Sequence, residues 1–149
     1  MGKIELENVS KIALDTAALI YYIEMHPTYL PLVEPTIDAM DRSEVVGITS
    51  TITLVEVLVL PLREKDFDLV QEYQSILLHS NLQLISVSED IAQKAAEIRA
   101  AYNLRTPDSI QIATAIVKGA DLLITNDKNW QRITEIAVVV LDDLIVSVA

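Results

Sequence analysis

The sequence has 149 residues, 51% of them apolar, and a formal net charge of −11 at pH 7. This length predicts a single domain over residues 1–149, and the apolar content excludes a disordered chain. So large a negative charge repels polyanions at long range, which argues against a protein that coats nucleic acid. A nuclease is still compatible with this charge if the protein binds cations locally. The sequence contains no cysteine, which excludes disulfides and cysteine–zinc sites and fits a reducing cytoplasm.

No segment is expected to enter a membrane. The longest apolar runs are far shorter than the ~18 residues that a membrane-spanning helix needs. Residues 1–12 lack the apolar core of a signal peptide.

Short apolar segments alternate with amphipathic ones along the chain. The predicted strands are residues 11–15, 45–50, 82–88, 121–126 and 136–141. The predicted helices are residues 16–25, a helix that ends near Arg42, the Glu56 helix that ends or kinks near Pro61, residues 66–80, 89–103 and 107–120, and a short helix after 126. Strands that read as continuous apolar runs between helices predict a mostly parallel sheet covered on both faces, a three-layer α/β/α fold.

One acidic residue stands out in the apolar stretch TITLVEVLVL, residues 51–60. Its neighbours predict that Glu56 is at least partly buried, and burying an ionised carboxylate is costly unless it is compensated. In a helix, Thr49, Thr53, Glu56 and Leu60 would share one stripe. Two interpretations stay open: a surface glutamate on a helix whose other sides are buried, or a ligand that points into a polar site.

Three aspartates are expected at the same edge of the sheet as Glu56. Asp15 ends the first strand, Asp127 follows the fourth, and Asp108 lies in the first turn of its helix. Ligands of parallel sheets bind beyond the carboxyl ends of the strands. Each aspartate alone is also explained as a helix cap. Glu56, in the middle of its helix, has no capping role.

Four carboxylates together provide hard oxygen ligands suited to Mg²⁺ or Mn²⁺. Such ions activate water and stabilise the attacking and leaving oxygens of a phosphoryl displacement. The site has no candidate histidine, cysteine or lysine base, so the metal must do that work.

Several segments, in this order, resemble a PIN domain, particularly the VapC-type toxins: LDTAALIYYIE, TITLVEVLV, TPDSIQIATAIVKGADLLITND and the following Lys128-Asn129-Trp130. The resemblance implies a metal-dependent ribonuclease with an acidic quartet of Asp15, Glu56, Asp108 and Asp127. It also implies that Thr16 and Thr125 support these acids by hydrogen bonding. Trp130 stands where the family often has an aromatic residue, and core packing explains it equally well.

The expected function is Mg²⁺- or Mn²⁺-dependent cleavage of single-stranded or looped RNA, because unpaired bases can be splayed toward a shallow acidic edge. By resemblance, the expected partners are a cognate antitoxin and, for so apolar a chain, a second copy in a homodimer. The alternative is a catalytically silent PIN-like domain that binds a metal or a protein. A phosphohydrolase or receiver-like protein is disfavoured, because Asp15-Thr16-Ala17 lacks an Asp-x-Asp pair.

Overall fold

A five-stranded sheet forms the centre of the computed structural model, which describes residues 2–145. Its strands are β1 (Lys11–Leu14), β2 (Val46–Ser50), β3 (Gln83–Ile85), β4 (Leu122–Thr125) and β5 (Ala137–Val140). They lie in the order β3-β2-β1-β4-β5, and every neighbouring pair is parallel. The prediction of a mostly parallel sheet is confirmed.

Helices connect the strands and cover the sheet. They are α1 (Thr16–Ile23), α2 (Leu30–Asp41), α3 (Ile52–Arg63), α4 (Phe67–His79), α5 (Glu89–Tyr102) and α6 (Thr106–Val117), with 3-10 helices at Lys128–Arg132 and Leu141–Leu144. Each predicted helix is present, and only the second 3-10 helix was not predicted. Within residues 2–145, no helix has the length and apolar character needed to cross a membrane.

Most elements begin or end one to three residues from their predicted bounds, and two of these differences have a structural reason. The third strand was predicted over residues 82–88, but β3 has three residues, because its partner β2 ends at Ser50 opposite Ile85. The Glu56 helix continues past Pro61 to Arg63. A proline near the end of a helix removes a single backbone donor, which this helix tolerates over its last turn.

Side chains of each strand alternate between two hydrophobic cores, one on each face of the sheet. Ile12 and Leu14 of β1 belong to the first core with residues from α1, α2 and α4, whereas Ala13 belongs to the second. Likewise Ile124 of β4 faces the first core and Leu123 the second, which contains residues of α5 and α6. The molecule is therefore a three-layer α/β/α structure, as predicted.

Helix α3 packs against the rest of the protein along one face, on which Leu54 and Leu58 are partly buried. Its buried residues are four positions apart: Thr53, Val57 and Pro61. Its other faces expose several large apolar side chains, Val55, Val59, Leu60 and Leu62. The apolar composition of this helix therefore does not reflect a buried position, and a surface of this kind is typical of a protein–protein contact.

Candidate functional site

The four predicted acids follow β1, β2, α5 and β4, at positions that the fold determines. Asp15 is the N-cap of α1, directly after β1, and Asp127 is the N-cap of the 3-10 helix after β4. The carboxyl ends of these strands are adjacent, since the Asp15 amide donates to the Ile124 carbonyl at 2.9 Å. Asp108 lies in the first turn of α6, and Glu56 lies in the middle of α3.

Asp15 has a largely, but not fully, buried side chain, and each oxygen of its carboxylate accepts one hydrogen bond. The Thr16 amide donates to Oδ1 at 2.7 Å, and the Thr125 hydroxyl donates to Oδ2 at 2.8 Å. Burial raises the pKa of Asp15 to about 7, and the negative charges of Glu56 and Asp108 add to this rise, while the two hydrogen bonds oppose it. In residues 2–145 no basic side chain forms an ion pair with Asp15. Its negative charge is therefore buried without a cation.

Glu56 is exposed, so the prediction that it is at least partly buried was wrong. Among the apolar neighbours that led to this prediction, Val55, Val59 and Leu60 are themselves exposed, because one face of α3 packs inward and the opposite face does not. The Thr16 hydroxyl donates to Glu56 Oε1 at 2.8 Å, which holds one carboxylate oxygen on the side of α1. Glu56 is thus a surface residue that is tied to the residue next to Asp15.

Thr49 was placed on the helical stripe of Glu56, but it lies in β2, before α3 begins. Its hydroxyl nevertheless lies 3.0 Å from that of Thr53, because the chain turns from the strand directly into the helix. The two threonines are therefore neighbours, as predicted, by a different local structure.

Asp108 lies beside a cation. Arg105 Nε and Nη2 each lie 3.4 Å from one oxygen of Asp108, and the arginine side chain is 75% exposed. The hydrogen bond and charge of Asp108 raise the pKa of Arg105, and the charges of Glu56 and Asp127 raise it further. Three of the four acids, Asp108, Glu56 and Asp127, thus stabilise the charged form of Arg105.

Asp127 caps the 3-10 helix by accepting a hydrogen bond from the Asn129 amide at 2.9 Å. Its own amide donates to the Thr125 hydroxyl at 3.2 Å, and that hydroxyl donates to Asp15. The capping interpretation is correct for both Asp15 and Asp127. It does not exclude a second role, because Asp127 Oδ2 has no such bond to the helix. Trp130 in the same short helix is buried in the second core, as the packing interpretation predicted.

The donor chemistry of this edge fits a hard divalent cation. The buried, uncompensated carboxylate of Asp15 is the observation that favours this fit. Within residues 2–145, however, no three acidic or histidine side chains lie close enough together to bind one ion as they stand. Binding would require side chains such as that of exposed Glu56 to turn toward Asp15.

Gln111, a buried side chain of α6 near the acids, was not predicted from the sequence. Its Nε2 donates to the Thr53 hydroxyl at 2.6 Å and to the Thr16 hydroxyl at 3.2 Å. The available signal was its spacing, because Gln111 follows Asp108 by three residues and so lies on the same face of the helix.

Replacing Thr125 with valine is expected to raise the pKa of Asp15 above its value of about 7, because the hydroxyl that stabilises the charged form is lost. The change also removes the acceptor of the Asp127 amide, so we expect a loss of about 1–3 kcal/mol in the free energy of unfolding. A carbon-detected NMR titration of the Asp15 carboxyl measures the first effect. An unchanged pKa would contradict the described hydrogen bond.

Comparison with known proteins gives a family and several structural neighbours. The family model of the PIN domain matches residues 12–136. No curated protein matches the chain in sequence. A chain of a toxin–antitoxin complex from Klebsiella pneumoniae is 27% identical, with a TM-score of 0.68 over 87% of this chain and 97% of that one.

Two further solved structures share the fold at lower identity. One is DNA-bound VapBC from Salmonella typhimurium, at 20% identity and a TM-score of 0.68 over 89% of this chain and 98% of that one. The other is VapC20 of Mycobacterium tuberculosis, described as a toxin that cleaves the sarcin-ricin loop, at 17% identity and a TM-score of 0.67 over 85% and 98%. Since the family model spans most of the chain and the architecture agrees, this protein belongs to the PIN domain family.

Proposed function

We propose that this protein is a Mg²⁺- or Mn²⁺-dependent endoribonuclease and the toxin of a toxin–antitoxin pair. The observation that carries the proposal is the buried carboxylate of Asp15, which lacks a cation at the edge where Glu56, Asp108 and Asp127 also lie. Membership of the PIN family and the likeness to the Klebsiella complex support it. The proposed place of action is the cytoplasm, where the protein would encounter cellular RNA.

The four acids would hold the ion, and the ion would supply an activated water and stabilise the charge that develops on the phosphate. Asp15 is oriented for this by Thr16 and Thr125, which leave it little freedom to rotate. Glu56 is less constrained by contacts, because one hydrogen bond holds an exposed side chain. These residues therefore combine a fixed ligand with an adjustable one.

Arg105 is the best placed cation for contact with an RNA phosphate. It is exposed and lies beside Asp108, within the field of Glu56 and Asp127. Once a divalent ion neutralises these acids, the guanidinium is free to bind a phosphate. Arg63, Lys65 and Lys128 also flank the acidic segments, but among the described contacts none of them forms an ion pair with these acids.

Arg105→Ala is expected to weaken binding of single-stranded RNA and to reduce the slope of log affinity against log salt by about 0.7. Binding is measured with uncleaved RNA in Ca²⁺ across a salt series. Arg42→Ala is the matched control, because Arg42 is also exposed and paired with an acid, Glu44, but precedes β2 at the opposite edge of the sheet. Equal slopes for the two variants would remove Arg105 from the proposed interface.

An antitoxin partner is proposed to use a second surface. A groove of about 380 Å³ between α1, α2 and α4 contains none of the four acids. Apolar side chains including Met25, Leu30 and Ile76 line it together with Glu34 and Glu72. Such a lining fits a segment with apolar and basic side chains, and the net charge of −11 favours a basic partner. The exposed apolar faces of α3 are the proposed contact of a homodimer.

Incubation of the purified protein with a pool of cellular RNAs, with Mn²⁺ or with a chelator, tests the proposed activity by mapping the cut ends. Cleavage at defined sites that the chelator abolishes is expected. Mn²⁺ binding without cleavage would instead favour the silent metal-binding domain. Growth arrest on expression that no neighbouring gene relieves would contradict the antitoxin, and light scattering that shows a strict monomer would contradict the homodimer.

A further inference from the structure

A buried network of polar side chains lies directly beneath the acidic edge and links three helices and a strand. Gln111 of α6 is at its centre, with a residue exposure of 3%. Its amide nitrogen donates to the Thr53 hydroxyl of α3 at 2.6 Å and to the Thr16 hydroxyl of α1 at 3.2 Å. Thr49 of β2 continues the network at 3.0 Å from Thr53. A buried amide in a network of this kind is costly unless its hydrogen bonds are made.

The direction of each hydrogen bond follows from the single proton of each hydroxyl group. Thr49 donates to the Leu14 carbonyl at 2.8 Å, so it accepts from Thr53. Thr16 donates to Glu56 Oε1 at 2.8 Å, so its proton is also committed. Neither Thr16 nor Thr53 therefore has a proton left to donate to Gln111. The group of Gln111 that faces the two hydroxyls must be a donor, so it is the amide nitrogen rather than the amide oxygen.

Gln111 also influences a competition between the two hydroxyls. Thr16 and Thr53 lie 3.0 Å apart, close enough for either one to donate to the other. If Thr16 donated to Thr53, Glu56 would lose its hydrogen bond. Because the amide of Gln111 donates to both oxygens, it favours the arrangement in which the Thr16 proton points to Glu56.

We propose that Gln111 is a positioning residue that holds Glu56 for metal binding, through the hydroxyls of Thr53 and Thr16. This inference rests on the proposed function, in which Glu56 is a metal ligand. Gln111 itself touches neither Glu56 nor, in the described contacts, any other of the four acids. Residues that orient metal ligands without touching the metal themselves typically change metal affinity or activity by about 10–100-fold when they are replaced.

The test measures Mn²⁺ affinity by calorimetry without RNA, and then kcat and KM for RNA cleavage. Gln111→Leu keeps the approximate size of the side chain and removes both donors. We expect it to bind Mn²⁺ about 10–100-fold more weakly, with a lower kcat at saturating RNA and an unchanged KM. Thr114→Val is the matched control, because it removes another buried hydroxyl of α6 that donates only to the Ile110 carbonyl. It is expected to bind Mn²⁺ as the wild type does.

A second pair of variants keeps the proposal testable if Gln111→Leu does not fold. Thr53→Val removes the middle hydroxyl with little change in shape and is expected to weaken Mn²⁺ binding, whereas Thr53→Ser restores the hydroxyl and the affinity. Wild-type Mn²⁺ affinity in folded Gln111→Leu, or in Thr53→Val, would overturn the inference. Glu56→Gln separates the two proposals: wild-type Mn²⁺ affinity in this variant would remove Glu56 as a ligand and overturn the inference alone, whereas a wild type that binds no Mn²⁺ would overturn the proposed function as well.

Discussion

Glu56→Gln is expected to slow RNA cleavage by about 100-fold or more while the protein stays folded. In the proposed site, the change would remove a negative charge whose interaction with the metal ion would contribute several kcal/mol, and each 1.36 kcal/mol corresponds to about tenfold in rate. The fold is preserved because Glu56 is exposed and a glutamine oxygen can still accept the hydrogen bond from Thr16. Initial rates in Mn²⁺ and a thermal melt by circular dichroism measure the two effects.

Glu64→Gln is the control for this variant. Glu64 is an exposed glutamate at the end of the same helix, so the chemical change and the change in net charge are identical. We expect cleavage by Glu64→Gln at the wild-type rate. A wild-type rate for Glu56→Gln would remove Glu56 from the quartet.

The metal-free protein is expected to become less stable as the pH rises from about 4 to about 7, and Asp15 is the reason. Its pKa is raised by burial from 3.8 to about 7, so the native state holds a proton in this range that the unfolded state has already released. The gap of about three pKa units corresponds to roughly 4 kcal/mol at most. Asp15→Asn cannot titrate, so this part of the pH dependence should disappear. Urea unfolding of both proteins across the pH range measures it.

The pH dependence, rather than the stability at one pH, is the useful measurement for Asp15→Asn. An amide at this position turns a donor toward Thr125, whose hydroxyl then loses its acceptor, so a constant loss of stability is also expected. Asp121→Asn is a control of opposite sign, because the amides of Lys11 and Ser10 lower the pKa of Asp121. Its contribution is lost as the pH falls. Parallel pH profiles for Asp15→Asn and the wild type would contradict the raised pKa.

The architecture could be predicted from the sequence because the apolar runs correspond directly to the strands of the sheet. β1 and β4 are buried on both faces and read as continuous apolar segments, so their neighbours Asp15 and Asp127 could be placed at one edge. The edge strand β3 was predicted to be longer than it is, because its length depends on where β2 stops pairing with it. That boundary is a property of the pair of strands and cannot be read from either sequence alone.

The sequence was less informative about the surroundings of each acid. Glu56 was expected inside because its neighbours are apolar, yet the pattern that matters is the stripe of Thr53, Val57 and Pro61. Gln111 was overlooked because its hydrogen-bond partners do not lie in its own segment of the sequence. Its partners are 58 and 95 residues away, so only the packing of α6 against α1 and α3 reveals them.

Because β1 lies between β2 and β4, it pairs with a strand that is synthesised much later than itself. Thr125 and Asp15, which share a hydrogen bond, are separated by 110 positions in the chain. A ribosome adds about 5–20 residues per second, so Asp15 and Glu56 leave the exit tunnel several seconds before β4 can pair with β1. During that interval the growing chain has neither the hydroxyl of Thr125 nor the carboxylate of Asp127. The site proposed above therefore cannot be completed beside the messenger RNA that encodes the protein until residues 122–127 have emerged.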